Sequence, residues 1–179
     1  MATGGCDGTP VRNIAVLGHS FVAYLPEYHQ PPIHVTLLAK PGATVDSLKE
    51  SSAWEELVDL RPELTFLIIG GNDIHHGIVP KDLAYAINDL AESVEQVTGG
   101  ACMVVGIEKR PNPRGLSGKE FNTIRNGVNR WLKRDIPFTR ARYMSMDTVQ
   151  GDFRSDGIHL TQEASRRLLL KFIDVSLTK

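Results

Sequence analysis

Short apolar runs, most of them closed by glycine, alternate along this chain with stretches that carry a helical stripe. No other feature constrains the fold as much. The runs are RNIAVLG, HVTLLAK, LTFLIIGG, ACMVVGIE and a weaker ARYMSMD. Continuous apolar runs of this length suit strands buried on both faces. Leu83, Ile87, Leu90, Val94 and Val97 recur at spacings of four and three, which puts them on one helical face. Phe121, Ile124, Val128 and Leu132 make a second stripe, and Ala164, Leu168, Phe172 and Val175 a third. Gly99-Gly100 stops the first of these helices, and Thr161 is the expected N-cap of the last. Ser52 with Glu55 reads as a capping box before WEELVDL, which Pro62 ends. Strands alternating with helices predict an α/β fold: three layers, a parallel five-stranded sheet and helices on both faces.

The 179 residues suit one domain, with 1–11 expected as a flexible lead-in and 12–179 as the folded unit. With 41% hydrophobic and 23% charged residues, the composition is that of an ordinary globular protein. No apolar run approaches the ~20 residues of a membrane-spanning helix. The segment MATGGCDGTP has no apolar centre, so it is not read as a secretory signal, and a cytoplasmic location is expected. Cys6 falls in the lead-in and Cys102 in an apolar run, a pattern that makes no disulfide framework.

Charge is unevenly spread. Residues 43–98 hold 11 acidic and 3 basic side chains, a net of -8, and residues 109–142 hold 2 acidic and 10 basic, a net of +8. Lys109, Arg110, Arg114, Arg130 and Arg134 are therefore candidates for contact with an anionic membrane or nucleic-acid surface.

In parallel sheets, ligands bind beyond the carboxyl ends of the strands, so the residues that follow each run matter most. The first run is followed by His19 and Ser20, the second by Gly42, and the third by Gly70, Gly71, Asn72 and Asp73. The fifth is followed by SDGIHLT, with Asp156 and His159. A hydroxyl, an exposed amide, a carboxamide and an Asp/His pair are the parts of an acyl-transfer site. Adjacent His75 and His76 cannot converge on one ion, so they are read as a pocket wall and no metal is expected. No GxGxxG or GxxxxGK[ST] occurs, and no cofactor is expected.

Four blocks in this order resemble the SGNH hydrolases, also called GDSL-like esterases and lipases. Ser20 matches the first block and Gly42 the second. Gly70 to Asp73 match the third, and Asp156 to His159 the fourth. The resemblance spans about residues 14–172 and implies a flavodoxin-like sheet. It also implies Ser20 as nucleophile, His159 as base and Asp156 as its orienting acid. The oxyanion donors it implies are the backbone N–H of Ser20 and Gly42 and the amide of Asn72. One departure stands out: the family usually has aspartate where this chain has His19, so the hydrogen bonds of that aspartate are expected to be missing. His19→Asp is accordingly expected to be tolerated. GHSFV with RPELTFLIIGGND also loosely resembles esterase domains encoded by some animal LINE retrotransposons.

The expected function is that of a serine esterase acting on short-acyl or acetyl esters, with a small ester or lipid as substrate. The rival is a non-catalytic module of the same fold that binds anionic lipid or nucleic acid within a larger, retroelement-type protein.

Overall fold

The computed structural model describes residues 12–135, 142–148 and 150–177. The expected lead-in and Cys6 lie outside these residues. Five parallel strands run in the order β2-β1-β3-β4-β5: β1 (Arg12–Gly18), β2 (Ile33–Ala39), β3 (Leu64–Ile68), β4 (Ala101–Val105) and β5 (Arg142–Met144). The helices are α1 (Ser20–Ala23), α2 (Val45–Leu48), α3 (Ser52–Leu60), α4 (Pro80–Thr98), α5 (Gly118–Arg130) and α6 (Gln162–Leu177).

Successive residues of β1 serve opposite layers, as the two-residue period of a strand demands. Ala15 and Leu17 pack with α2, α3, α4 and α5 on one face, while Ile14 and Val16 pack with α1 and α6 on the other. Leu83, Ile87, Leu90 and Val94 are all buried in the first core, and Phe172 stacks on Phe66 at 4.5 Å in the second. Thr161 caps α6 as expected, its Oγ1 accepting from Ala164 N at 3.2 Å. The cap of α3 falls one residue earlier than the sequence pattern suggested: Ser51 Oγ, not Ser52, accepts from Trp54 N at 3.3 Å.

The order in which the chain adds strands reverses at β1, although all the strands stay parallel. The chain leaves β1 for β2 on one side and returns to β3 on the other. Gly18 pairs level with Ala39 and with Ile68, so three strands end together. The segments that carry Ser20, Gly42 and Asn72 therefore emerge side by side at the point where such sheets open a crevice.

Candidate active site

Ser20 is the first residue of α1, four residues long, and lies at the mouth of an open cleft of about 380 Å³. His159 reaches it from the loop before α6. Its Nε2 is 3.1 Å from Ser20 Oγ, and its Nδ1 is 2.6 Å from Asp156 Oδ2. An ionised Asp156 can only accept, so Nδ1 carries the ring proton and the Nε2 lone pair faces the hydroxyl. Asp156 Oδ1 meanwhile accepts from the amides of Ile158, at 2.8 Å, and His159, at 3.0 Å. The His159 bond and then these amides hold the Asp156 carboxyl below the usual carboxylate range. The Tyr24 ring packs edge-on against the imidazole at 5.2 Å. Ser20 thus meets His159 and Asp156, 139 and 136 positions further along the sequence, in one hydrogen-bonded chain.

The second strand-end segment is a tight turn. Ala43 N donates to Lys40 O at 3.0 Å, and Gly42 sits at φ +76° behind Pro41. That is the backbone pattern of a type II turn, whose third residue needs positive φ and has no acceptor for its amide inside the turn. Lys40 N donates to Gly18 O at 2.8 Å, which ties the turn to the end of β1. Asn72 faces the same cleft, and its Nδ2 donates to Ala43 O at 3.0 Å. Asp73 accepts from Val45 N with both oxygens at 3.2 Å, so it braces the loop as a structural residue. Burial, only partly opposed by that amide, pushes its carboxyl up to about 6. As the first amide of α1, Ser20 N–H has no acceptor within the helix. The structure thus brings Ser20, Gly42 and Asn72 to the rim of one cleft.

His19 corrects an expectation. The site is not left without a side-chain bond: His19 Nδ1 accepts from Phe21 N at 3.3 Å, so the imidazole caps α1. The ring is fully buried, and its Nε2 lies 3.4 Å from Glu108 Oε1, a contact without hydrogen-bond alignment. Because Nδ1 accepts, the ring proton sits on Nε2, toward the carboxylate.

Arg110 corrects another. It is 7% exposed, and its Nη2 and Nε donate to Glu108 Oε1 at 2.7 and 3.0 Å. Its Nη1 donates to Asn72 Oδ1 at 3.2 Å. It belongs to the floor of the cleft and not to a solvated basic face. Arg125 is buried too, its Nε donating to Ile107 O at 2.7 Å. Lys109, Arg114, Arg130 and Arg134 are exposed, and Arg114 lines the cleft. His75 and His76 are exposed and do not line it: His76 instead meets Glu120 at 2.8 Å. Sequence reasoning passed over Glu108 and Tyr24. The available signal for Glu108 was its place, a carboxylate directly after the apolar run ACMVVGI at a strand's carboxyl end.

A family model described as the GDSL-like Lipase/Acylhydrolase family matches residues 3–167. No curated protein sequence matches significantly. Among solved structures, the chain is similar to Est24, a carbohydrate acetylesterase from Sinorhizobium meliloti, with 18% identity and a TM-score of 0.70 over 92% of this chain and 98% of that one. It is similar to the aryl esterase of M. smegmatis with 15% identity and a TM-score of 0.70, over 93% and 98% of the two chains. A lipolytic G-D-S-L family protein from Veillonella parvula gives 13% identity and a TM-score of 0.70, over 94% and 100%. At these identities the likenesses show a shared fold. The family match over most of the chain shows more: this protein belongs to the GDSL-like lipase/acylhydrolase family.

Proposed function

We propose that the protein is a serine esterase that cleaves short-acyl carboxylic esters through an acyl-enzyme on Ser20. The observation that carries this is the Asp156–His159–Ser20 chain, at 2.6 and 3.1 Å, opening onto the cleft. Ser20 Oγ attacks the ester carbonyl carbon while His159 Nε2 takes the hydroxyl proton. The resulting oxyanion is met by the N–H groups of Ser20 and Gly42 and by Asn72 Nδ2. Collapse breaks the bond to the alcohol oxygen, which leaves with the proton from His159. Water then attacks the acyl-enzyme, gives a proton to His159, and Ser20 departs carrying it back. Asp156 stabilises the imidazolium in both halves and stays ionised.

The cleft volume of about 380 Å³ accommodates a small acyl group together with part of an alcohol. Similarity of fold to a carbohydrate acetylesterase supports the acetyl end of that class. Among the described residues no helix is long and apolar enough to cross a membrane. Of the five candidates for binding an anionic membrane or nucleic acid, Lys109, Arg114, Arg130 and Arg134 remain exposed, because Arg110 is committed to Glu108 and Asn72.

The experiment is inactivation with a diethyl aryl phosphate, followed by mass spectrometry of the peptide spanning β1 and α1. Diethylphosphoryl adduct on Ser20, with parallel loss of p-nitrophenyl acetate hydrolysis, is expected. Hydrolysis that persists with Ser20 fully labelled, or a label elsewhere, would overturn the assignment.

A further inference from the structure

We infer that Arg110, held by the buried carboxylate of Glu108, is a positioning residue that locks the side-chain amide of Asn72 with its N–H toward the oxyanion. The inference rests on the esterase reading above and deepens it. A primary amide is nearly symmetric in shape, and a half-turn about its last bond exchanges a donor for an acceptor. A flipped Asn72 would aim an oxygen lone pair at the negative charge it is meant to stabilise. Two contacts oppose the flip. Arg110 Nη1 donates to Oδ1 at 3.2 Å, and Ala43 O accepts from Nδ2 at 3.0 Å. Arg110 has no acceptor to offer Nδ2, so only one orientation satisfies both partners. One Nδ2 hydrogen is used by Ala43, which leaves the other for the cleft.

The guanidinium is itself held. Two of its nitrogens grip one oxygen of Glu108, which is fully buried, and its Cζ lies over the Phe121 ring, 5.4 Å from the centroid. Burial would raise the Glu108 carboxyl, but His19 and the Arg110 guanidinium outweigh it and hold it down to about 2. The backbone beneath is clamped by one face of α5. Asn129 bonds Ile107 through both N–H, at 2.8 Å, and C=O, at 3.1 Å. Asn122 likewise accepts from Arg110 N at 3.3 Å and donates to its C=O at 3.2 Å. Gly71 leaves room for the pair: a Cβ there would stand 2.5 Å from both Arg110 Nη2 and Glu108 Oε1. Polar groups from four segments are thus arranged to fix one amide.

The test compares Arg110→Lys and the double variant Glu108→Gln/Arg110→Met with the parent, each also in an Asn72→Ala background. Lysine keeps a charge beside Glu108 but lacks the fork that serves two acceptors at once. The double variant removes both charges, so no buried ion is left unpaired. With p-nitrophenyl acetate, kcat should fall about 10- to 100-fold with KM changed less than about threefold, somewhat less than deleting an oxyanion donor outright. In the Asn72→Ala background the same changes should cost less than about twofold, because the group they position is gone. The Asn72 side-chain NH2 resonances, assigned by their disappearance in Asn72→Ala, should lose order in both variants while backbone signals outside the site stay put. An effect on KM alone, an undiminished loss in the Asn72→Ala background, or unaltered Asn72 NH2 order would overturn the lock. A parent that neither hydrolyses esters nor takes a label at Ser20 would instead remove the esterase reading, and the amide resonances would still decide the lock.

Discussion

His19 Nδ1 accepts the backbone N–H of Phe21 at 3.3 Å, so a fully buried imidazole caps the start of α1. The other side of the ring faces Glu108, also fully buried. This neighbour reverses the expectation that His19→Asp is tolerated. A second carboxylate would be buried beside the first, and like charges in such a site oppose ionisation. His19→Asp should lower stability by about 1–3 kcal/mol, and Glu108→Gln should recover most of it. Urea denaturation of the two single variants and the double variant reads the coupling. Simple additivity of the two changes would refute it.

Ser20→Ala and His159→Ala should each reduce p-nitrophenyl acetate turnover by about 10⁴-fold or more, with no further loss when combined, because the two act as a unit. Asp156→Asn should cost less than either, since nucleophile and base remain. Circular dichroism should show the fold intact in all three, as Ser20, His159 and Asp156 are outside the two apolar cores. A Ser20→Ala protein as active as its parent would be incompatible with the mechanism.

Asp73 gives the protein a pH dependence of stability with a definite sign. Burial first, then the Asp46 charge, raise its carboxyl from 3.8 to about 6, against the opposing Val45 amide. The folded state therefore binds this proton more tightly than the unfolded state. Its contribution is complete below about 3.8 and is lost as pH rises through about 6. Glu108 has the opposite sign, present above about 4.5 and lost as pH falls toward about 2, so it is silent above pH 5. Between pH 5 and 7 the parent should lose stability that Asp73→Asn does not. Urea midpoints at the two pH values measure this. Equal slopes in parent and variant would exclude the assignment.

Gly71→Ala should be costly out of proportion to one methyl group. Its Cβ would press on the Arg110–Glu108 pair at 2.5 Å. Overpacking of this kind typically costs about 1–3 kcal/mol. Activity should fall as well, because the displaced guanidinium also holds Asn72 Oδ1. Thermal unfolding and kcat together test it: a stable variant with unchanged kcat would show that the pair yields without moving Asn72.

Much of the fold was legible in the residues alone. Local pattern sets where a strand or helix is favoured: the five strands fall on the five apolar runs, and the three stripes fall on α4, on α5 with the turn that follows it, and on α6, with helices on both faces of the sheet as expected. The candidate site was legible in part, since Ser20, Gly42, Asn72 and His159 each follow a strand and line one cleft, with Asp156 joined to it through His159. Arg110 and Arg125 were not. Counted along the chain they belong to a basic segment with a net of +8, yet both are buried. Charge counting carries no information about which guanidinium finds a buried carboxylate or carbonyl, because those partners come from other segments.

By itself, then, the sequence determined the parallel α/β architecture, the strand ends that bear chemistry and the residue types able to run an acyl transfer. These depend on periodicity and on the turn chemistry of neighbouring residues, which are local. Only the tertiary structure decided that His19 caps α1, that Glu108 faces it from β4's end, and that Arg110 joins Glu108 to Asn72. Buried polar groups must find partners wherever the packed chain brings them, and the partners here are separated by up to 89 positions. That pairing is a property of the assembled sheet, in which the carboxyl ends of β1, β3 and β4 lie side by side.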